Sequence, residues 1–146
     1  MSLEAAANLT SVIAGQSKPG LQALGANSRF ISLADTRKCT RSLDIDVALA
    51  TTKPHDSRWD YIIEYNNYLY FVEVHPASTS EVERILKKLD WLKEWLLTVP
   101  TINTLPKGAI PFRWAVTGKY AILSGSSQAR KLAQAGLKVE KPVFLK

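Results

Sequence analysis

The chain has one cysteine, Cys39, so it cannot form an internal disulfide, and it lacks the Cys/His spacing of a zinc site. A single thiol fits a reducing compartment better than a secreted one, so the expected location is cytoplasmic. No run of about 18 apolar residues occurs, and no membrane is expected among the partners. The first residues, MSLEAAANLTSVIAG, put an acid before the apolar run and have no basic lead, unlike a secretory signal. Gly118-Lys119 lacks the upstream glycine and following hydroxyl of a phosphate loop, and no Gly-x-Ser-x-Gly elbow appears. Nucleoside triphosphatases and serine hydrolases of those types are thereby disfavoured.

What the chain does have is a core. At 146 residues and 46% hydrophobic it is the size of one domain that folds without staples. Its net charge of +6 is unevenly spread: residues 60–100 carry seven acids and four bases, residues 101–146 eight bases and one acid, Glu140. Such a division suits a protein that handles a polyanion, with acids on metal and bases on phosphates; a solvated basic face reads the same way. Lys119, Arg130 and Lys131, with Lys138 and Lys141, are the candidate phosphate contacts. Cys39, flanked by Arg37, Lys38 and Arg41, is a candidate for a lowered thiol pKa, although a lone cysteine is more often inert.

Periodicity and punctuation predict a helix over 3–14 ended by Gly15, a short helical piece over 21–24, and a strand or irregular lead-in over 29–34. Residues 43–50, LDIDVALA, alternate cleanly and predict a strand, followed by a polar loop over 51–57. Strands over 58–65 and 68–75 flank Asn66 and Asn67, which suit a two-residue turn. A helix follows, opened by a capping box of Ser80 with Glu83 or of Ser78 with Glu81. It carries Val82, Ile85, Leu86, Leu89, Leu92 and Leu96 on one stripe and stops before Pro100. Beyond a proline-punctuated connector over 100–111, a strand over 112–117, a helix from Ser126 or Ser127 through Ala135 and a last strand over 142–145 complete the chain.

With Asn66 and Asn67 as the turn, paired positions sum to 133, so Asp60 faces Glu73 and Arg58 faces His75. One face of the hairpin then holds Trp59, Tyr61, Ile63, Tyr65, Tyr68, Tyr70, Val72 and Val74, and is expected to lie against a helix. The other holds Ile62, Leu69 and Phe71 at its middle, Glu64 near the turn, and Arg58, Asp60, Glu73 and His75 at the open end. Directly opposed Cβ atoms are about 4.5–5.5 Å apart, where like charges repel. Two carboxylates held so close call for a hard cation, a shared proton or a neutralising base such as Arg58. Asp44 or Asp46 would join them if the 43–50 strand pairs with the hairpin. A surface network of Asp60, Arg58 and His75 is the plain structural alternative.

Helix, three-strand meander, helix and strand, with Asp60 on the second strand and Glu73-Val74-His75 on the third, resembles the PD-(D/E)XK superfamily of restriction-endonuclease-like nucleases over about residues 43–117. The resemblance implies a three-layer α/β/α domain with a central mixed sheet, spanning residues 1–146 with a helical lead-in over 3–42. It implies Mg²⁺ or Mn²⁺ held by Asp60, Glu73 and the carbonyl of Val74, and hydrolysis of DNA phosphodiesters. His75 stands where the family has lysine, and Trp59 where its name has proline. In the catalytic role His75 would serve as base or ligand; Lys53, Lys87 and Lys88 are alternative sources of the missing ammonium. The expected partners are nucleic acid, DNA first, and a second copy of the chain in a homodimer. The competing reading is a catalytically inactive member of the fold that binds nucleic acid or protein.

Overall fold

A computed structural model describes all 146 residues. In chain order they form α1 (Leu3–Asn8), β1 (Lys18–Pro19), a 3-10 segment (Gln22–Phe30) kinked at Gly25, β2 (Ile31–Leu33), β3 (Cys39–Asp44), α2 (Ile45–Leu49), β4 (Tyr61–Tyr65) and β5 (Tyr68–Ala77). There follow α3 (Val82–Thr98), α4 (Pro100–Asn103), β6 (Lys107–Tyr120), α5 (Ser127–Gln134), β7 (Leu137–Glu140) and β8 (Val143–Leu145). The result is a mixed α/β fold on a six-stranded sheet of order β1-β3-β4-β5-β6-β7, with β2 and β8 as a separate parallel pair.

The hairpin forms in the expected register. Asn66 and Asn67 both have positive φ, 51° and 66°, as the primed turn requires, and Tyr61 pairs Val72 while Tyr65 pairs Tyr68. β3, β4 and β5 are an antiparallel meander; α3 then crosses over so that β6 runs parallel to β5, and α5 does the same for β7.

Several local expectations fail for identifiable reasons. Residues 43–50 are not a strand: β3 ends at Asp44, whose carboxylate accepts from the Val47 amide at 2.8 Å and caps α2. Ile45 and Leu49, four apart, go into the core, and Val47, which a strand would place on their face, is exposed. The first helix stops at Asn8, whose carboxamide accepts from the Gly15 amide at 2.9 Å and folds the next residues into turns. Neither capping box forms, because both acids are engaged elsewhere. Glu81 goes to His75 and Glu83 to Lys131, leaving the Ser78 and Ser80 hydroxyls to each other at 3.0 Å. The 100–111 connector contains α4 and the start of β6, and β7 is a strand that periodicity did not mark.

The face assignment is also reversed. Ile62, Leu69 and Phe71 pack into the larger core with Leu3 and Ala6 of α1, Ile85, Leu89 and Leu92 of α3, Ile102 and Leu132. Each fully buried aliphatic there contributes about 1.5–3 kcal/mol. The aromatic face, with Tyr61, Ile63, Tyr65 and Val72, lies against Leu24, Ile31, Val143 and Leu145. In place of a second helical layer, the 3-10 segment and the β2-β8 pair cover it. Tyrosine explains the choice: buried phenols need polar partners. Irregular chain supplies them, Asn27 donating to the Tyr61 hydroxyl at 2.9 Å and the Asp35 amide to that of Tyr65 at 3.0 Å. The open end of the hairpin therefore sits beneath α3.

Candidate functional site

β4 begins at Tyr61, so Asp60 and Glu73 lie just past the end of the ladder, and reciprocal bonds replace it there. The Asp60 amide donates to Glu73 Oε1 at 3.1 Å, and the Val74 amide donates to Asp60 Oδ2 at 2.9 Å. Each carboxylate is thus fixed by the backbone of the opposite arm, and the two acids meet as the turn count requires. Glu73 is fully buried and Asp60 mostly so. Lys88 comes down from α3, its ammonium hydrogen-bonded to Glu73 Oε2 and 3.8 Å from Asp60 Oδ1. Of the three alternative lysines, this is the one brought to the acids. Lys87 faces a neighbouring concavity with Asp90 and Glu94, and Lys53 lies farther along the same groove beside Trp95.

His75 is next to this trio and is not in the place of the ammonium. Its Nε2 is 3.0 Å from Glu81 Oε2, its Nδ1 4.0 Å from Glu73 Oε2, and its ring meets Trp114 edge to face. Arg58 does not neutralise the acid pair. Its Nε donates to Asp46 Oδ1 at 2.9 Å and its Nη1 to the Lys53 carbonyl at 2.6 Å. Asp46 thereby reaches the same cleft from α2, whereas Asp44 is spent as a cap.

These groups line an open cleft of about 420 Å³ between α3, the ends of β4 and β5, and the loop before β4. Only one of its ten lining residues is hydrophobic, so the cleft suits a charged or strongly polar ligand. The electrostatics are uneven. Burial, then the charge of Asp60, pushes Glu73 up to about 8, against the lowering effect of Lys88. Burial likewise raises Asp60, opposed by Lys88 and the Val74 amide. The acids gather where negative charge is costly, which makes the position one that rewards a cation.

Asp60, Glu73 and Val74 line the cleft together, but no third His, Cys, Asp or Glu side chain joins them in a metal-holding group. That set is too small for zinc. It fits Mg²⁺ or Mn²⁺, which are bound through one or two carboxylates with water and phosphate oxygens completing the shell. The Lys88 ammonium already marks the spot as one that favours positive charge.

Lys119, Arg130 and Lys131 do not line the cleft. Lys131 pairs with Glu83 at 2.8 Å, Arg130 donates to the Gly125 carbonyl, and Lys119 lies near the end of β6. Cys39 is buried, and burial, followed by the charge of Glu64, raises its thiol to about 11, the reverse of activation. Asp56 accepts from Trp91 Nε1 at 2.8 Å and borders the cleft; His55 lies in the adjoining concavity. Two lining residues were missed, Ser57 and Arg84; Arg84 is exposed on the first turn of α3. Its signal was the four-residue spacing to Lys88, which puts both on one face of the helix.

No helix is long and apolar enough to cross a membrane. No protein-family model, curated protein or solved structure matches the chain.

Proposed function

We propose that the chain is a metal-dependent nuclease-like protein of the restriction-endonuclease-like fold, acting on DNA phosphodiesters, with Lys88 supplying the ammonium that position 75 lacks. The observation that carries this reading is the convergence of two buried carboxylates and one lysine in a polar cleft, from three different elements. The meander followed by parallel crossovers supports the fold assignment.

Asp60 and Glu73 would hold Mg²⁺ or Mn²⁺, with Val74 beside them. When bound, the metal lowers the pKa of a water and offsets charge on the phosphoryl and leaving oxygens. The protein's own contribution is positional. The crossed amide bonds keep both carboxylates in one rotamer, so little reorganisation accompanies substrate binding. Lys88 orients the attacking water and offsets charge that develops on the phosphate. Glu81 holds His75 by Nε2 and leaves Nδ1 turned toward Glu73, which makes His75 a positioning residue for the acid.

A second reading, a catalytically inactive module of the same fold that binds nucleic acid or protein, draws on a different observation. Glu73 is wholly buried and already hydrogen-bonded by the Lys88 ammonium without a third acid. Incubation of plasmid and branched DNA with Mg²⁺ or Mn²⁺, alongside thermal melts, separates the two. The enzyme reading expects cleavage that Asp60→Asn, Glu73→Gln and Lys88→Met each abolish, and a metal-dependent rise in Tm. If wild type shows neither cleavage nor that rise, the inactive module is the correct reading.

A further inference from the structure

We propose that Arg84 is the substrate-anchoring cation of the cleft, taking the phosphate adjacent to the one positioned at Asp60, Glu73 and Lys88. The inference rests on the nucleic-acid reading above and adds a specific contact to it. All the charged side chains lining the cleft except one are already engaged within the protein. Asp46 is held by Arg58, Asp56 by Trp91, and His75 by Glu81. Asp60 and Glu73 are held by backbone amides and by Lys88. Arg84 has no hydrogen-bond or ion-pair partner, although it is exposed on the cleft wall.

Its chemistry suits an anion of planar oxygens. A guanidinium offers five N–H donors in a rigid fork that matches two phosphate oxygens, and it stays charged at any working pH. Its position suits a second phosphate. Arg84 precedes Lys88 by four residues, so the two lie on one helical face about 6 Å apart along the axis. Successive phosphates of one strand are spaced on that scale. Ser57, from the opposite loop, lines the same cleft without a hydrogen-bond partner and adds a hydroxyl donor. The contact is to the backbone and carries no base information, so it acts alike on all sequences.

Fluorescence anisotropy of labelled single-stranded and duplex oligonucleotides, in EDTA across 50–300 mM KCl, isolates binding from cleavage. Arg84→Gln is expected to weaken binding about tenfold on every sequence and to lower the salt slope by about one. Lys87→Gln removes an equal charge from the neighbouring turn, outside the cleft, and is expected to stay within about twofold of wild type by the same argument. Tm should be unchanged in both, since each side chain is exposed. Equal losses in the two variants would reduce Arg84 to generic surface charge, and unchanged binding by Arg84→Gln would remove it from the substrate path. Either result leaves the nuclease reading standing. Failure of wild type to bind either oligonucleotide both in EDTA and with Ca²⁺ in its place overturns the nucleic-acid reading itself and Arg84 with it.

Discussion

Two glutamates on the same face of the same hairpin, Glu64 near the turn and Glu73 at the open end, are both buried and have opposite characters. Glu64 accepts from the Leu3 amide at 2.8 Å and from the Thr40 hydroxyl at 2.6 Å, two neutral donors fixed by the fold. It ties α1 to the sheet, and its oxygens are satisfied. Glu73 has another carboxylate for a neighbour and takes the Lys88 ammonium as its charged partner. A buried acid answered by neutral donors has no need of a charge beside it; one crowded by a like charge is pushed toward its protonated form and favours a cation close by.

The strongest test of this contrast removes Lys88. Lys88→Met leaves Asp60 and Glu73 buried without a counter-charge, an expected loss of about 3–5 kcal/mol at pH 8 by urea unfolding. The loss should shrink at pH 5, where Glu73 carries a proton. A loss that is the same at both pH values would show that packing of the lysine stem, and not its charge, is what matters.

Next in size is the pH dependence of the metal-free protein. Folded Glu73 keeps its proton up to about pH 8, whereas unfolded it releases it near the ordinary value of 4.5. The folded state therefore binds more protons between those values. Its contribution is full below about 4.5 and is lost as pH rises through 8, an expected fall of about 2–4 kcal/mol in EDTA. Glu73→Gln should flatten that slope; a slope equal to that of wild type in this variant would take the pH dependence away from Glu73.

A smaller effect is expected from metal. Millimolar Mg²⁺ or Mn²⁺ should raise Tm by about 2–5 °C at pH 8, and by less at pH 5.5, where the proton competes for Glu73. Differential scanning fluorimetry reads both, and Asp60→Asn should remove the rise. Of similar size is the effect of Glu64→Gln itself, expected to cost about 1–2 kcal/mol through one mismatched hydrogen bond. Its metal response should equal that of wild type; a lost response would make Glu64 part of the site.

The hairpin and its acid pair were legible because both depend on counting. Two asparagines that tolerate positive φ fix the turn, and the turn fixes which residues meet. What covers each face was not legible, since that depends on where Tyr61 and Tyr65 find partners, and those come from residues 27 and 35, in weakly patterned chain. Asp44 hid a helix inside an alternating strand pattern because one carboxylate bonding the Val47 amide outweighed the period of two. Lys88 could be named only as one of three. A helix presents a lysine to a strand through packing angle and crossover, neither of which leaves a spacing in the string.

The turn at Asn66 and Asn67 has a last consequence, for tolerance to insertion and deletion. Substitutions there touch only exposed residues. One added or removed residue would change the sum of paired positions by one and carry Asp60 to the opposite face, roughly 20 Å from the lesion. A point in the chain remote from the chemistry thus selects for residues that tolerate positive φ and is intolerant of a one-residue change in length. Deep mutational scanning would show it as a site where Gly and Asp survive, Pro and β-branched residues are depleted, and single-residue indels fail.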